Sequence, residues 1–282
     1  MKIISIYRDQ WHHSDQKIVL EKYYEFFNEY FSAMGNKERF QDTIAERIAA
    51  IGANEMDLGI SVLEQGVKRT RDAIQSALDP THMPQCVLFV GEGSWDGNGL
   101  IIDRHPYFFV DLSLVKDRLG KHSPFDIQTF LTHEALHALH YLSSPEFYPG
   151  NYTIKRDKYY GRMVAEGIAS YMSARILGKS IKEALWMGFL GEAELRRWVD
   201  YCEESRWDFG TALTRAIAGE EDLYLWYDLF GVRDMSNLAE SRSGYYYGYQ
   251  IARELATAYG DDGLLQLSYA DVEPHISRYF AP

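Results

Sequence analysis

A glutamate flanked by two histidines, His133-Glu134-Ala135-Leu136-His137, is the part of this 282-residue chain whose residue types and spacing most directly promise chemistry. At 3.6 residues per turn, positions 133 and 137 share one helix face a single turn apart, so both imidazoles can reach one ion at roughly 2.0–2.1 Å. Glu134 is rotated off that face, where a carboxylate meets water rather than the ion. This is the H-E-x-x-H pattern of zinc sites, with Glu134 as general base. The expected chemistry is hydrolysis with one zinc ion (Zn2+) as cofactor: the ion acts as Lewis acid and acidifies a water, while Glu134 takes the proton and later hands it to the leaving group.

A catalytic zinc site takes three protein ligands and keeps a position open. His140 comes next along the chain, but seven residues from His133 its anchor lies about 10.5 Å further along the axis, too far to share the ion. It is expected beside the site, toward substrate, or on the surface. A metzincin continuation would place Gly at 140 and His at 143, where this chain has His140 and Ser143. A carboxylate from another helix remains, and Glu166 leads: it is the one acid in the apolar helix expected from Arg162 to Met172. Its neighbours Ala169, Ser170 and Ser173 are small enough to let that face pack closely. By spacing alone Glu146, Glu183, Glu192 and Glu194 stay open.

On these residues the chain resembles the gluzincins, the thermolysin-like zinc metallopeptidases, across residues 86–180: His133-Glu134-x-x-His137 followed by Glu166-Gly167-Ile168-Ala169. The resemblance implies zinc held by His133, His137 and Glu166, and a peptide or protein substrate. It also implies a small twisted sheet ahead of the active-site helix, with an edge strand that binds extended peptide. Tyr107-Phe108-Phe109-Val110-Asp111 would be that strand, with Phe109 against substrate. Thermolysin carries an aspartate four residues after its glutamate ligand; here Ser170 stands there, able to hydrogen-bond a ligand histidine while conferring less basicity. Gluzincins supply a tyrosine or histidine to the oxyanion from the C-terminal part, and small predicted peptidases of the clan carry late Gly-Tyr-x-x-Gly-Tyr helices. Gly244-Tyr245-Tyr246-Tyr247-Gly248-Tyr249 fits, with Tyr245 the first choice and Tyr249 the second, on one face of a helix that Ser243 could cap. Arg242 would contact a substrate carbonyl or carboxylate.

These side chains need elements to hold them. Ser123 as N-cap, Pro124 at N1 and Asp126 at N3 predict a firm helix start before the histidines. Residues 15–78 show helical spacing, broken near Gly35 and Gly52. Short apolar runs at 86–90, 100–102 and 107–110 predict strands, with Asp96-Gly97 and Asn98-Gly99 as hairpin signals between the first two. Gly91-Glu92-Gly93 lacks the third glycine of a dinucleotide fingerprint and reads as a turn. Helices return from Pro124 to the C-terminus. The expected class is α+β, mostly helical, with a small, mainly antiparallel sheet ahead of the active-site helix. The expected regions are 1–80, N-terminal helices; 81–180, the zincin-like catalytic core; and 181–282, C-terminal helices completing the cleft.

Composition removes other classes. With 29 Lys+Arg against 41 Asp+Glu, the net charge of −12 argues against a nucleic-acid partner. Two cysteines, Cys86 and Cys202, make neither a disulfide framework nor a thiolate zinc cluster. The N-terminus lacks a signal-peptide apolar region and no stretch approaches the ~20 apolar residues of a membrane span, so a cytoplasmic protein without membrane partner is expected. Oligomeric state leaves no trace in the sequence. Two further functions compete with the peptidase: a zinc hydrolase of another amide or ester, and a degenerate metal-site scaffold that binds a partner. The intact Glu134 weighs against the scaffold, since a structural site needs no base.

Overall fold

The computed structural model describes all residues except 52, 120–123, 221, 223 and 282, and all side chains of the remainder except those of 53–58, 117 and 182. The chain is α+β and mostly helical. It forms two compact units, Met1–Leu142 and Ser143–Pro282. Among the described residues no helix is long and apolar enough to cross a membrane.

The first unit holds four strands: β1 (Ile3–Ser5), β2 (Gln85–Phe89), β3 (Gly97–Ile102) and β4 (His105–Asp111), in the order β1-β2-β4-β3. β1 and β2 pair in parallel, as do β2 and β4, and only β3 and β4 are antiparallel. The sheet is therefore mixed, not mainly antiparallel. Parallel neighbours need long crossovers, and the helices between Ile6 and Leu78 provide one from β1 to β2. The hairpin joins β3 to β4 through Asp103 and Arg104, whose φ angles of 48° and 63° are those of a type I′ turn. The Asp96-Gly97 and Asn98-Gly99 signals belong instead to the entry and body of β3. β4, expected at the edge, is interior, and the edges fall to β1 and β3.

One sheet face is covered by the Tyr24–Ala33 helix. Its Phe26 and Tyr30 rings meet Phe89 at 5.1 and 5.2 Å, and Tyr30 meets Phe109 at 5.2 Å. Burial of each such ring contributes roughly 1.5–3 kcal/mol. The Tyr30 hydroxyl donates to the fully buried Glu92. Asp111, at the end of β4, accepts from the Gly91 and Gly93 amides at 2.9 and 3.1 Å and so ties Gly91-Glu92-Gly93 to the sheet as a turn. Burial pushes its carboxyl above the usual carboxylate range despite those bonds.

The second unit is helical. Its close-packed centre is the pair formed by a glutamate-bearing helix (Arg162–Leu177) and a tyrosine-bearing helix (Ser243–Tyr259). They touch at Gly167 and Gly248, where a Cβ on either would overlap the other's backbone. Cys86 in the first unit and Cys202 in the second are free and buried.

Candidate metal centre

The histidine-bearing helix runs Ile127–Ser143. Its start differs from the expected one: Asp126 accepts from the Gln128 and Thr129 amides, both at 3.1 Å, and is itself the N-cap. Pro124 precedes the helix, and Ser123 lies outside the described residues. Every residue from Thr129 to Tyr141 is buried. Glycines allow this: Gly66 receives Leu131, Gly97 receives the Glu134 side chain, and Gly99 meets the backbone at His137 and Ala138. Gly97 and Gly99, turn signals in the sequence, instead let β3 lie directly against this helix.

His133 Nε2 and His137 Nε2 are 3.0 Å apart, with ring planes at 86°. The His137 ring stacks on Tyr141, whose hydroxyl donates to Asn98 Oδ1 on β3 at 3.2 Å. Glu134 is buried, 5% exposed. His140 is wholly buried, which removes the surface position open to it in the sequence. Burial, with His137 nearby, pushes its pKa down to about 3, so it is neutral at ordinary pH.

Glu166 lies on the second-unit helix, 1% exposed at its side chain, and pairs with Arg162 one turn earlier at 2.5 Å. Arg162 opens the apolar helix expected from the sequence without a role assigned to it, although an arginine at i−4 from a lone acid is a visible signal. A π-helical turn, Asp157–Gly161, leads into this helix. The competing carboxylates are engaged elsewhere. Glu146 accepts from the Tyr269 amide at 2.6 Å, Glu183 from the Ser180 amide at 2.8 Å and Glu194 from the Gly191 amide at 3.1 Å. Glu192 is exposed beside Arg196. One ligand atom from each of His133, His137 and Glu166 lies within 4.8 Å of the other two, and all three residues are buried. Ligands of a tetrahedral ion at 2.0–2.1 Å stand roughly 3.4 Å apart, between the 3.0 Å of the two imidazoles and that 4.8 Å limit. The donors therefore fit a metal ion.

No family model, curated protein or solved structure matches the chain.

Ser170 is fully buried one turn beyond Glu166, its carbonyl accepting from the Ser173 hydroxyl at 3.0 Å. On the tyrosine helix, Tyr245 and Tyr249 are each 8% exposed, with the Tyr249 ring 5.6 Å from Tyr171. Burial raises the Tyr249 pKa, which keeps its hydroxyl a proton donor. Tyr246 and Tyr247 are anchored, donating to Glu203 at 2.7 Å and to the Cys202 carbonyl at 2.9 Å. The N-cap is Arg242 rather than Ser243, in the left-handed region with φ 56°. Phe109 requires a correction. Its ring is fully buried in the aromatic cluster with Tyr30 and Phe89, on an interior strand, and has no surface left for a substrate.

Proposed function

We propose that the chain is a zinc-dependent peptidase of the gluzincin kind, a cytoplasmic hydrolase of peptides or proteins, with one zinc ion held by His133, His137 and Glu166. The observation that carries this reading is the convergence of the buried H-E-x-x-H imidazoles and one buried carboxylate within 4.8 Å. Zinc bound there would supply Lewis acidity, polarising a carbonyl and lowering the pKa of a water toward ~7.

The chain's own groups do the rest. The imidazoles of His133 and His137 offer nitrogen lone pairs to the ion. The Arg162 guanidinium pairs with the Glu166 carboxylate and limits its rotation, and Ser170 is the hydrogen-bonding group one turn beyond it. Glu134 abstracts a proton from the attacking water at its carboxylate and returns it to the leaving amine. Tyr245, with Tyr249 next, donates its hydroxyl toward the oxyanion; such a donor is worth about 10²–10³ in kcat.

The test joins metal stoichiometry to a peptide-library cleavage profile. One zinc per chain and cleavage are expected, with Glu134→Gln keeping the zinc and losing hydrolysis. Glu166→Ala should lose zinc while Glu146→Ala keeps it. Hydrolysis retained by Glu134→Gln would overturn the mechanism, and a wild-type chain that binds no metal would overturn the reading altogether.

A further inference from the structure

We infer that Arg242 is a receptor for a carboxylate, so that the preferred substrate presents either a C-terminal carboxylate or an acidic side chain there; the identification with substrate rests on the peptidase reading, the anion site itself does not. Arg242 is half-buried at the N-terminal end of the tyrosine helix, and its φ of 56° is a conformation that a residue with a Cβ adopts only at a cost. Its guanidinium lies 4.0 Å from the Tyr245 ring centroid and 5.0 Å from that of Trp186. Two aromatic neighbours fix the plane of the cation and leave its edge, where the N–H donors are, for a ligand.

The surroundings fix this arrangement further. Trp186 is 4% exposed and meets Trp198 edge-on at 5.7 Å. The Trp198 indole donates to the carbonyl of Ser241, the residue before Arg242, at 2.7 Å. Arg242 is thus clamped through its side chain and through its own loop.

Among the described residues Arg242 has no ion-pair partner, whereas Arg118 pairs with Asp96, Arg156 with Glu273 and Arg162 with Glu166. A chain with 41 acids against 29 bases has carboxylates in excess, so an immobilised, unmatched guanidinium is not a matter of supply. Two further donors belong to the same cluster. The Trp186 indole nitrogen is buried and has no hydrogen-bond partner among the described residues, and the opening amides of the tyrosine helix favour an anion at this end.

A planar fork of N–H groups matches a carboxylate in bidentate fashion, with charge on both sides. The cluster also belongs with Glu166. Gly248, one turn after Tyr245, is in contact with Gly167, the residue next to Glu166, within the same close-packed helix pair.

The experiment measures equilibrium binding of four blocked peptides to the full-length Glu134→Gln chain with its metal as purified, so that nothing is cleaved. One pair is N-acetyl-Ala-Ala-Ala as free acid and as amide; the other is N-acetyl-Ala-Glu-Ala-amide and its Gln counterpart. The acid member of at least one pair should bind about ten-fold tighter than its neutral twin, and the pair that shows it identifies the carboxylate. Arg242→Gln should abolish the preference, while Arg242→Lys, a point charge without the fork, keeps part of it. Both variants are first checked for wild-type melting, and if Arg242→Gln melts early the Lys variant's partial loss carries the test. Equal binding within both pairs, or a preference that survives Arg242→Gln, would overturn the site. Cleavage by the unmodified chain without any carboxylate preference would sink this inference alone; a preference without cleavage under any zinc condition would sink the peptidase reading and leave the anion site standing.

Discussion

From Thr129 to Tyr141 the histidine helix is buried at every position, and so is the glutamate helix from Arg162 to Ser170, yet the two handle their polar groups differently. On the first, the candidate ligands are imidazoles, a side chain that can be neutral and so enter a core without a counter-charge. On the second, the candidate ligand is a carboxylate, and a guanidinium accompanies it at 2.5 Å. Burial of an ionised carboxylate is expensive unless it is paired. A buried carboxylate of this kind therefore brings a companion residue into the fold, and no metal-binding pattern would name that companion.

Arg162→Met is the harshest way to break this contrast. It leaves the Glu166 charge without its guanidinium and should cost about 3–5 kcal/mol in urea unfolding. The loss should shrink when zinc is supplied, because the ion then takes over the compensation. A loss under about 1 kcal/mol without zinc would mean that the pair is dispensable. Gly167→Ala comes next. In an ordinary helix interior this change is worth about 1 kcal/mol in favour of Ala; here the new methyl meets the Gly248 backbone. The sign should reverse, to a loss of about 1–3 kcal/mol by thermal melting, and a gain would show that the helices can separate freely.

The mildest test lies on the histidine helix. His140 has its pKa depressed to about 3 in the folded chain against 6.5 unfolded. The unfolded state therefore binds the extra proton first: stability is constant above about pH 6.5 and falls below it, by up to about 1.4 kcal/mol per pH unit for one proton. His140→Leu should flatten that slope in denaturation curves taken at pH 7, 6 and 5. An unchanged slope would place the acid sensitivity elsewhere.

The contrast also explains what was legible in the sequence. His133, Glu134 and His137 are visible because 3.6 residues per turn converts their spacing directly into a shared face. Glu166 was visible as a misfit, an acid among apolar neighbours, but its rivals could be dismissed only when Glu146, Glu183 and Glu194 were seen capping backbone amides. The strands were legible as apolar runs, whereas their order was not. Parallel and antiparallel pairing use the same residues, and the real turn, Asp103-Arg104, lacks the glycine that advertises most type I′ turns. Phe109 was misjudged because an interior strand and an edge strand differ in neighbours rather than in composition.

The two free, buried cysteines give the chain a property of its own. Burial lifts the Cys202 thiol to about 12 and pushes Cys86 up as well, so neither is a thiolate at neutral pH and neither is open to an alkylating reagent while its surroundings stay closed. One lies in each unit. Alkylation at Cys86 or Cys202 therefore records the opening of its own unit, which turns this pair of inert residues into separate clocks for the two halves of the molecule.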